Sequence, residues 1–216
     1  MKYFDLSVPL YHNCPAWPTH GLAEFTLEDV HVNGGAVTER INMNVHTGTH
    51  LDAPYHFVPQ GKTIDEIPLD AFIGRAWIVN LTGIAARTGI GPEHLEKHLA
   101  KVQKGDIVLC CTGWARKRSH SAEYCHDWPW MTKEGAELLI AKGVKGVGTD
   151  GLSMGGWYEG TSLPCHNAFL GAGLWLAEEL IFPEELLKYE SCTFTAVPLN
   201  LRGFGGSPTR AFATVE

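Results

Sequence analysis

Short apolar runs separated by glycine and proline are the feature that most restricts the fold of this chain. Four such runs are Ala76 to Leu81, Ile107 to Cys111, Val144 to Val147 and Cys192 to Val197. Short runs rich in β-branched residues are typical of buried strands. The 24 glycines and 12 prolines are spread along all 216 residues, without a fixed-period repeat. We therefore expect many loops around a sheet, in a single domain over residues 1–216.

An alternating segment precedes the histidine-rich part of the chain. From Val37 to Val45 the odd positions are mostly apolar and the even positions are polar. This period predicts a half-buried strand that leads into His46.

Two helices have readable ends. The first begins at Pro92, which suits a first-turn position, and Gly105 follows it as a stop signal. Its apolar face consists of Leu95, Leu99 and Val102. The second helix is predicted from Thr132 to Gly143. Each is followed by a β-rich run, so the chain is predicted to be α/β.

Charge and hydropathy exclude several function classes. The formal net charge is -7, and Lys and Arg stand singly apart from Arg116-Lys117-Arg118. This distribution argues against a nucleic acid or an anionic membrane as the partner. No apolar run approaches the roughly 20 residues that cross a bilayer. A small molecule is the expected partner.

The N-terminal residues and the cysteines indicate a cytoplasmic protein. Asp5 and Pro9 interrupt the apolar core that a signal peptide needs. The six cysteines contain no Cys-x-x-Cys pair, so we expect reduced thiols rather than a zinc ribbon or a disulfide framework.

The segment His-Thr-Gly-Thr-His-Leu-Asp-Ala-Pro-Tyr-His is the densest group of potential metal ligands. In an extended chain alternate side chains face the same side, so His46, His50 and Asp52 would project together. Gly48 leaves room for an ion between the two imidazoles. Two imidazoles and a carboxylate suit Zn, Mn, Fe or Co better than Ca or Mg.

His56 follows four residues after Asp52 and is a candidate for acid–base catalysis. A lone histidine is ordinarily a hydrogen-bonded structural residue. Four correlated positions favour a metal site instead. His56 could alternatively be a fourth metal ligand or a hydrogen-bonding partner of one.

This segment resembles the signature of the cyclase-type metal-dependent hydrolases, which include the bacterial kynurenine formamidases and the isatin hydrolases. His46 to Phe57 matches His-x-Gly-Thr-His-x-Asp-x-Pro-x-His-Phe without a departure. The resemblance continues through Gly61 to Gly74 and through Gly206 to Ala211. It implies an α/β domain with the swivelling β/β/α fold of that family, two divalent ions (Zn or Mn) per subunit and a homodimer.

The resemblance also implies roles for the signature residues. His46, His50 and Asp52 would bind the first metal ion, and Asp52 would bridge to the second. His56 would be the proton-transfer residue.

The remaining ligands are less apparent from the sequence. The formamidases imply a His and a Glu about a dozen residues apart, which here are His166 and Glu178, with Glu179 as the adjacent alternative. From the residues alone, His166 could equally lie on the buried face of a short helix. Leu174 to Ala177 then predicts a buried strand that delivers Glu178 to its end.

Trp17, in Cys14-Pro-Ala-Trp-Pro18, corresponds to a substrate-contacting aromatic residue of the family. A flat ring would suit an aryl amide. Core packing is the alternative, since the chain has seven tryptophans.

Other polar residues receive a structural interpretation. Cys165 is adjacent to His166, and adjacent side chains seldom face each other, so a thiol nucleophile is rejected. Lys142, Lys145 and Asp150 lie near a predicted strand end and are expected in a solvated turn.

The expected activity is hydrolysis of an aryl formamide such as N-formylkynurenine. A metal ion lowers the pKa of a bound water from about 16 to about 7, and His56 would protonate the departing nitrogen. Hydrolysis of isatin, or of another cyclic amide or lactone, is the alternative reaction. A metal-bearing binding protein without turnover is the alternative from another class.

Two loops depart from the formamidase pattern. Asp150-Gly-Leu-Ser153 is followed by Met-Gly-Gly-Trp-Tyr, and Trp114 to Trp130 is rich in charged and aromatic residues. We expect the loop from Asp150 to Tyr158 to line the pocket and to decide the substrate.

Overall fold

A computed structural model describes residues 1–29, 31 and 34–216 of the chain. Its strands are β1 (Lys2–Asp5), β2 (Glu24–Asp29), β3 (Thr38–Asn42), β4 (His50–Asp52), β5 (Ile73–Asn80), β6 (Gly89–Ile90), β7 (Ile107–Cys111), β8 (Trp130–Met131), β9 (Gly146–Thr149), β10 (Trp175–Glu178), β11 (Ser191–Thr195), β12 (Gly206–Pro208) and β13 (Phe212–Val215). Its α-helices are α1 (Pro92–Leu95), α2 (Ala122–His126), α3 (Lys133–Ala141) and α4 (Leu163–Gly171).

Within the described residues, nine strands form one mixed sheet in the order β1-β13-β11-β5-β7-β9-β10-β4-β12. The central strands β5, β7, β9 and β10 are parallel, and the flanking strands pair antiparallel. The first and last strands of the chain, β1 and β13, are neighbours in this sheet. The α/β class is therefore confirmed.

The four apolar runs form strands of the sheet, as predicted: β5, β7, β9 and β11. In β7, Ile107 and Leu109 belong to one core cluster, and Val108 and Cys110 belong to the other. Because successive side chains of a strand face opposite sides, the central strands are buried on both faces. Helices α1, α3 and α4 contribute to the second cluster and cover one face of the sheet.

Two predicted elements differ from the structure. The expected half-buried strand is β3, but all five of its residues are exposed, and within the described part of the chain it pairs only with β2. The alternation of apolar and polar residues in β3 therefore does not correspond to a buried face and an exposed face. The helix expected from Pro92 to Gly105 is α-helical only as far as Leu95, and a 3-10 turn follows at residues 96–98. Its predicted apolar residues are nevertheless buried: Leu95, Leu99 and Val102.

The other helix predictions are close to the structure. Thr132 caps α3 by accepting the N–H of Gly135 at 3.1 Å, and the helix ends at Ala141, two residues before Gly143. The short helix around His166 is α4, followed by the expected strand β10. Among the described residues, none of the helices is long and apolar enough to span a membrane.

Candidate metal centre

The three-residue strand β4 of the main sheet carries two of the predicted ligands. Strand β4 lies between β10 and β12, and its register places His50 opposite Glu178. Directly opposite residues of an antiparallel pair share a face. Asp52 lies on the same face as His50, because it is two residues further along the strand. Sheet pairing thus brings Glu178 next to the histidine motif.

His46 reaches the same face from a turn rather than from a strand. Strand β3 ends at Asn42, and Gly48 has a φ of +66°, so the chain from His46 to His50 is not extended as expected. The His46 N–H donates to Asn44 Oδ1 at 2.9 Å. Its ring brings Nδ1 within 2.7 Å of Asp52 Oδ1. The three residues therefore meet, although alternation explains only two of them.

Gly206 makes room for the His46 ring. A Cβ atom at this position would lie 2.5 Å from His46 Cε1 and 2.7 Å from the carbonyl oxygen of Leu51. Gly206 is opposite Asp52 in the pairing of β12 with β4. The signature and the segment near the C-terminus are therefore adjacent in space.

His166 and Glu178 complete a second group. His166 Nε2 lies 3.3 Å from Glu178 Oε1, while His166 Nδ1 lies 2.8 Å from the carbonyl oxygen of Ser162. A proton on Nδ1 would leave Nε2 free to bind a cation. Glu178 Oε1 also accepts the N–H of Met154 at 2.6 Å and the hydroxyl of Ser153 at 3.1 Å.

Two sets of potential ligand atoms share one carboxylate. The sets are His46, His50 and Asp52, and Asp52, His166 and Glu178, and in each set the ligand atoms lie within 4.8 Å of one another. Asp52, His50, His166 and Glu178 are all buried.

The orphaned polar atoms of this cluster fit a divalent cation. His50 Nε2 and Asp52 Oδ2 are buried and have no hydrogen-bonding partner among the residues that the structure describes. His50 Nε2 is 3.3 Å from Asp52 Oδ1 and 3.5 Å from Glu178 Oε2, without the geometry of a hydrogen bond. Leaving such an atom unsatisfied costs about 1–3 kcal/mol. Mixed imidazole and carboxylate donors suit Zn or Mn.

Protons balance the buried carboxylates when no cation is bound. Burial alone would lower the pKa of His50, but Asp52 and Glu178 raise it well above its ordinary value. Burial would also lower the pKa of His166, but Cys165 and Glu178 raise it well above its ordinary value. Near pH 7 both rings therefore carry a second proton, which a metal ion would have to displace.

His56 stands beside the ligand sets but belongs to neither. It ends a 3-10 turn, Pro54–His56, and its ring stacks on His46 with the centroids 3.9 Å apart. The pKa of His56 is lowered to about 4, chiefly by burial; the charge of His46 also lowers it, and the charge of Asp52 opposes both. The ring is consequently neutral near pH 7.

Glu179 lies outside both ligand sets. It is buried, and its oxygen atoms accept hydrogen bonds from Gly48, Arg118 and Tyr124. Of the two adjacent glutamates, only Glu178 reaches the predicted histidines.

The expectation of a solvated turn is wrong for Asp150. Asp150 is buried and accepts the N–H groups of Thr112 and Gly113 at 2.8 and 2.7 Å. Lys145 Nζ donates to the carbonyl oxygens of Asp70 and Ile73, each at 2.7 Å. Lys142 is exposed, as expected. The sequence shows that a strand end is polar, but it does not show whether neighbouring loops bury the polar side chain and supply its hydrogen-bonding partners.

Trp17 is half-buried in an aromatic cluster. Its ring lies 5.6 Å from Trp128 and 5.3 Å from Trp157, measured between centroids. The cluster also contains Trp114, Tyr124, Leu152, Trp130 and Cys125. Both loops that depart from the formamidase pattern therefore contact the segment of Trp17.

Sequence reasoning missed two residues near the centre. His20 follows Trp17 on the same loop, and its Nδ1 is buried without a hydrogen-bonding partner in the described part of the chain. Burial lowers the pKa of His20, and the charges of His46 and His50 lower it further. Its proximity to Trp17 in the sequence was a usable signal. Arg118 gave no such signal, because it stands in an ordinary basic triplet.

Comparisons with known proteins agree with this geometry. The family model described as putative cyclase matches residues 4–155. A kynurenine formamidase of Bacillus thuringiensis (strain Al Hakam) is 28% identical over 216 residues, which cover 97% of this chain and 96% of that protein.

Solved structures share the fold. A predicted metal-dependent hydrolase from Bacillus stearothermophilus is 29% identical, with a TM-score of 0.78 over 98% of this chain and 97% of that chain. Isatin hydrolase A from Labrenzia aggregata, bound to benzyl benzoate, has a TM-score of 0.88 at 24% identity, over 99% and 93% of the two chains. Since the family model spans the histidine signature and most of the sheet, the resemblance seen in the sequence is confirmed, and this chain belongs to the cyclase family.

Proposed function

We propose that this chain is a metal-dependent hydrolase that cleaves aryl formamides, with N-formylkynurenine as its substrate. The observation that carries the proposal is that two ligand sets share Asp52 while His56 stands beside them in neither set. Mere metal binding does not require such a group. The similarity to kynurenine formamidases over nearly the whole chain supports the choice of substrate.

The proposed centre holds two divalent ions, Zn or Mn. His46, His50 and Asp52 hold the first ion, and Asp52, His166 and Glu178 hold the second. Three protein ligands for each ion leave positions for water and substrate. A bound ion supplies Lewis acidity toward the amide carbonyl and a water of lowered pKa.

His56 moves the protons of the reaction. Its neutral ring accepts a proton from the attacking water and returns one to the nitrogen that leaves, so that the C–N bond breaks to give formate and an aniline. The stacked His46 ring keeps His56 close to the ligands. Neither step requires a nucleophilic side chain.

The aromatic cluster binds the aryl group of the substrate. Trp17 offers the contacting ring, and Trp157, from the loop between Asp150 and Tyr158, packs against it. That loop also holds Glu178 through Ser153 and Met154. The conformation of this loop can therefore affect both the position of the substrate ring and the position of the metal ligand Glu178.

The partners and location of the protein are also proposals. We propose a cytoplasmic homodimer that binds neither nucleic acid nor membranes, in keeping with six free cysteines and a net charge of -7. The ribbon formed by β2 and β3 exposes Leu27 at 63% and Ile41 at 57%, which suits burial against a second copy. A monomer in light scattering at micromolar concentration would refute the dimer.

A substrate panel tests the proposed reaction. N-formylkynurenine, isatin and simple aryl lactones are assayed with Zn and with Mn. We expect the highest kcat/KM for N-formylkynurenine. If isatin or a lactone exceeds it by about 100-fold, roughly 2.7 kcal/mol in transition-state binding, the named substrate is wrong while hydrolysis stands.

Three substitutions test the ligands and the turnover. At saturating metal, Glu178→Gln should lower the metal stoichiometry and Glu179→Gln should not. Full activity in EDTA, together with no transition metal in protein purified without chelator, would contradict metal dependence. If His56→Ala retains every measurable property, binding without catalysis is the better function.

A further inference from the structure

Glu179 has an unusual backbone conformation for its residue type. It directly follows the proposed ligand Glu178, and its φ is +51°. Outside glycine this left-handed conformation costs about 1–2 kcal/mol and persists only where the surroundings impose it. Its N–H donates to the carbonyl oxygen of Gly151 at 3.1 Å, which holds the turn at the end of β10.

The side chain and the carbonyl group of Glu179 both hold the loop of the first metal motif. Oε1 accepts the N–H of Gly48 at 3.0 Å, and the carbonyl oxygen accepts the hydroxyl of Thr49 at 2.6 Å. The carbonyl oxygen of Gly48 lies 2.7 Å from His50 Nδ1. A proton on that Nδ1 directs Nε2 of His50 to the centre. A continuous path therefore leads from Glu179 to a proposed ligand.

Arg118 is the counter-ion of Glu179. Its Nε donates to Glu179 Oε2 at 3.2 Å, and the two side chains are 8% and 1% exposed. Although burial alone would lower the pKa of Arg118, the charge of Glu179 raises it above its ordinary value. Tyr124 donates its hydroxyl to the same Oε2 at 3.3 Å. Removing one partner of such a pair leaves a buried charge uncompensated.

Arg118 also contacts the segment that precedes Trp17. It donates to the carbonyl oxygens of Pro9 and Pro15 at 3.1 and 3.3 Å. Pro15 is two residues before Trp17. One buried ion pair thus connects the loop of His50 with the loop of the aromatic cluster.

We propose that Glu179 and Arg118 are positioning residues for the metal centre, which act through Gly48 on His50 and through Pro15 on the segment of Trp17. This inference rests on the proposed function, since it assumes that His50 is a metal ligand. Glu179 itself does not bind the metal, because its oxygens are engaged by Gly48, Arg118 and Tyr124.

The test uses Co²⁺ as the probe in full-length protein. Its visible absorption bands report ligand geometry, and titration gives its affinity. We expect Glu179→Gln and Arg118→Lys to alter the bands and to weaken Co²⁺ binding by about 10–100-fold, the usual effect of losing a partner of a ligand. Arg118→Lys keeps the charge but loses the multiple guanidinium contacts.

A matched pair and a milder variant provide the controls. Arg116, two residues before Arg118, forms an exposed ion pair with Glu184. Glu184→Gln should therefore leave both the bands and the affinity unchanged. Tyr124→Phe removes one hydrogen bond without changing the charge, so it should weaken binding by less than Glu179→Gln. Tyr124→Phe keeps the test decisive if Glu179→Gln and Arg118→Lys do not fold.

Three outcomes would overturn the inference. If folded Glu179→Gln and Arg118→Lys show wild-type bands and affinity while only their thermal stability falls, the pair is merely structural. If they do not fold and Tyr124→Phe is indistinguishable from wild type in bands and affinity, the inference also fails. If wild-type protein binds no Co²⁺, the metal centre and this inference fail together.

A further outcome separates the two halves of the proposal. Altered bands with substrate preference unchanged would support positioning of His50 alone and contradict the connection to Trp17.

Discussion

Adding one methyl group to Gly206 should weaken metal binding through His46. The Cβ of Gly206→Ala would lie 2.5 Å from His46 Cε1 and 3.1 Å from Nδ1. Non-bonded carbon atoms prefer about 3.5–4.0 Å, so the separation is short by about 1 Å. Strand β12 cannot retreat easily, because it is paired with β4 and the same methyl would lie 2.7 Å from the carbonyl oxygen of Leu51. The His46 ring is the part that can move.

The expected magnitude follows from the tolerance of metal sites. Metal–ligand distances tolerate about 0.2 Å, so a displacement of about 1 Å removes His46 from the ligand set. We expect Zn²⁺ affinity to fall at least 10-fold, about 1.4 kcal/mol. Overpacking should also lower the free energy of unfolding of metal-free protein by about 1–3 kcal/mol.

Competition with a chromophoric chelator measures the Zn²⁺ affinity, and urea unfolding measures the stability. Gly171→Ala is the matched control, because a Cβ there meets nothing within 4 Å. In a His46→Ala background the contacts with the ring are gone and only the one with the Leu51 carbonyl oxygen remains, so the added Gly206→Ala should lower the affinity by less than it does in wild-type protein. Wild-type Zn²⁺ affinity in Gly206→Ala, with its stability lowered, would mean that His46 is not a ligand.

Three further predictions concern the ligands, the proton donor and the aromatic wall. His56→Asn should keep the metal stoichiometry while steady-state kcat at saturating metal falls about 10²–10⁴-fold, and a rate within about twofold of wild type would contradict its role. Because His50 and His166 have raised pKa values in metal-free protein, Zn²⁺ has to displace protons from them, so its affinity should fall as the pH is lowered and more of each imidazole is protonated. Calorimetry in buffers of different ionisation enthalpy should detect the released protons, and their absence would refute this coupling. Trp17→Leu should raise KM for N-formylkynurenine about tenfold at unchanged metal affinity, and an unchanged KM would leave Trp17 as a packing residue.

The sequence predicted the parts of the fold that depend on local pattern. Apolar runs identified β5, β7, β9 and β11, most clearly β7, which is buried at all five positions and therefore needs apolar residues on both faces. The exposed β3 was misjudged, since alternation also occurs in a ribbon that lies away from the core. His50 and Asp52 followed from strand periodicity. His46 joined them through a turn at Gly48 that the period does not describe.

Residues whose partners are distant in sequence could not be found from local pattern. Glu178 and Glu179 are adjacent, and burial does not distinguish them, because both are almost fully buried. What distinguishes them is sheet register and the turn after β10, which depend on long-range pairing. The family resemblance identified Glu178, because a resemblance to proteins of the same fold includes their sheet register. For Arg118 and Asp150, which are buried by neighbouring loops, no equivalent information was present.

The pairing of β4 with β10 also restricts when metal can enter the protein. Glu178 emerges about 130 residues after His50 in the chain, yet the two are directly opposite in the sheet. Contacts so distant in sequence form late in folding, because the entropy of closing a long loop must first be overcome. A nascent chain that has exposed only the histidine signature therefore offers an incomplete and flexible set of ligands. Tight metal uptake should follow completion of the sheet, so the rate of metal capture during refolding reports the formation of β10 rather than collapse of the N-terminal half.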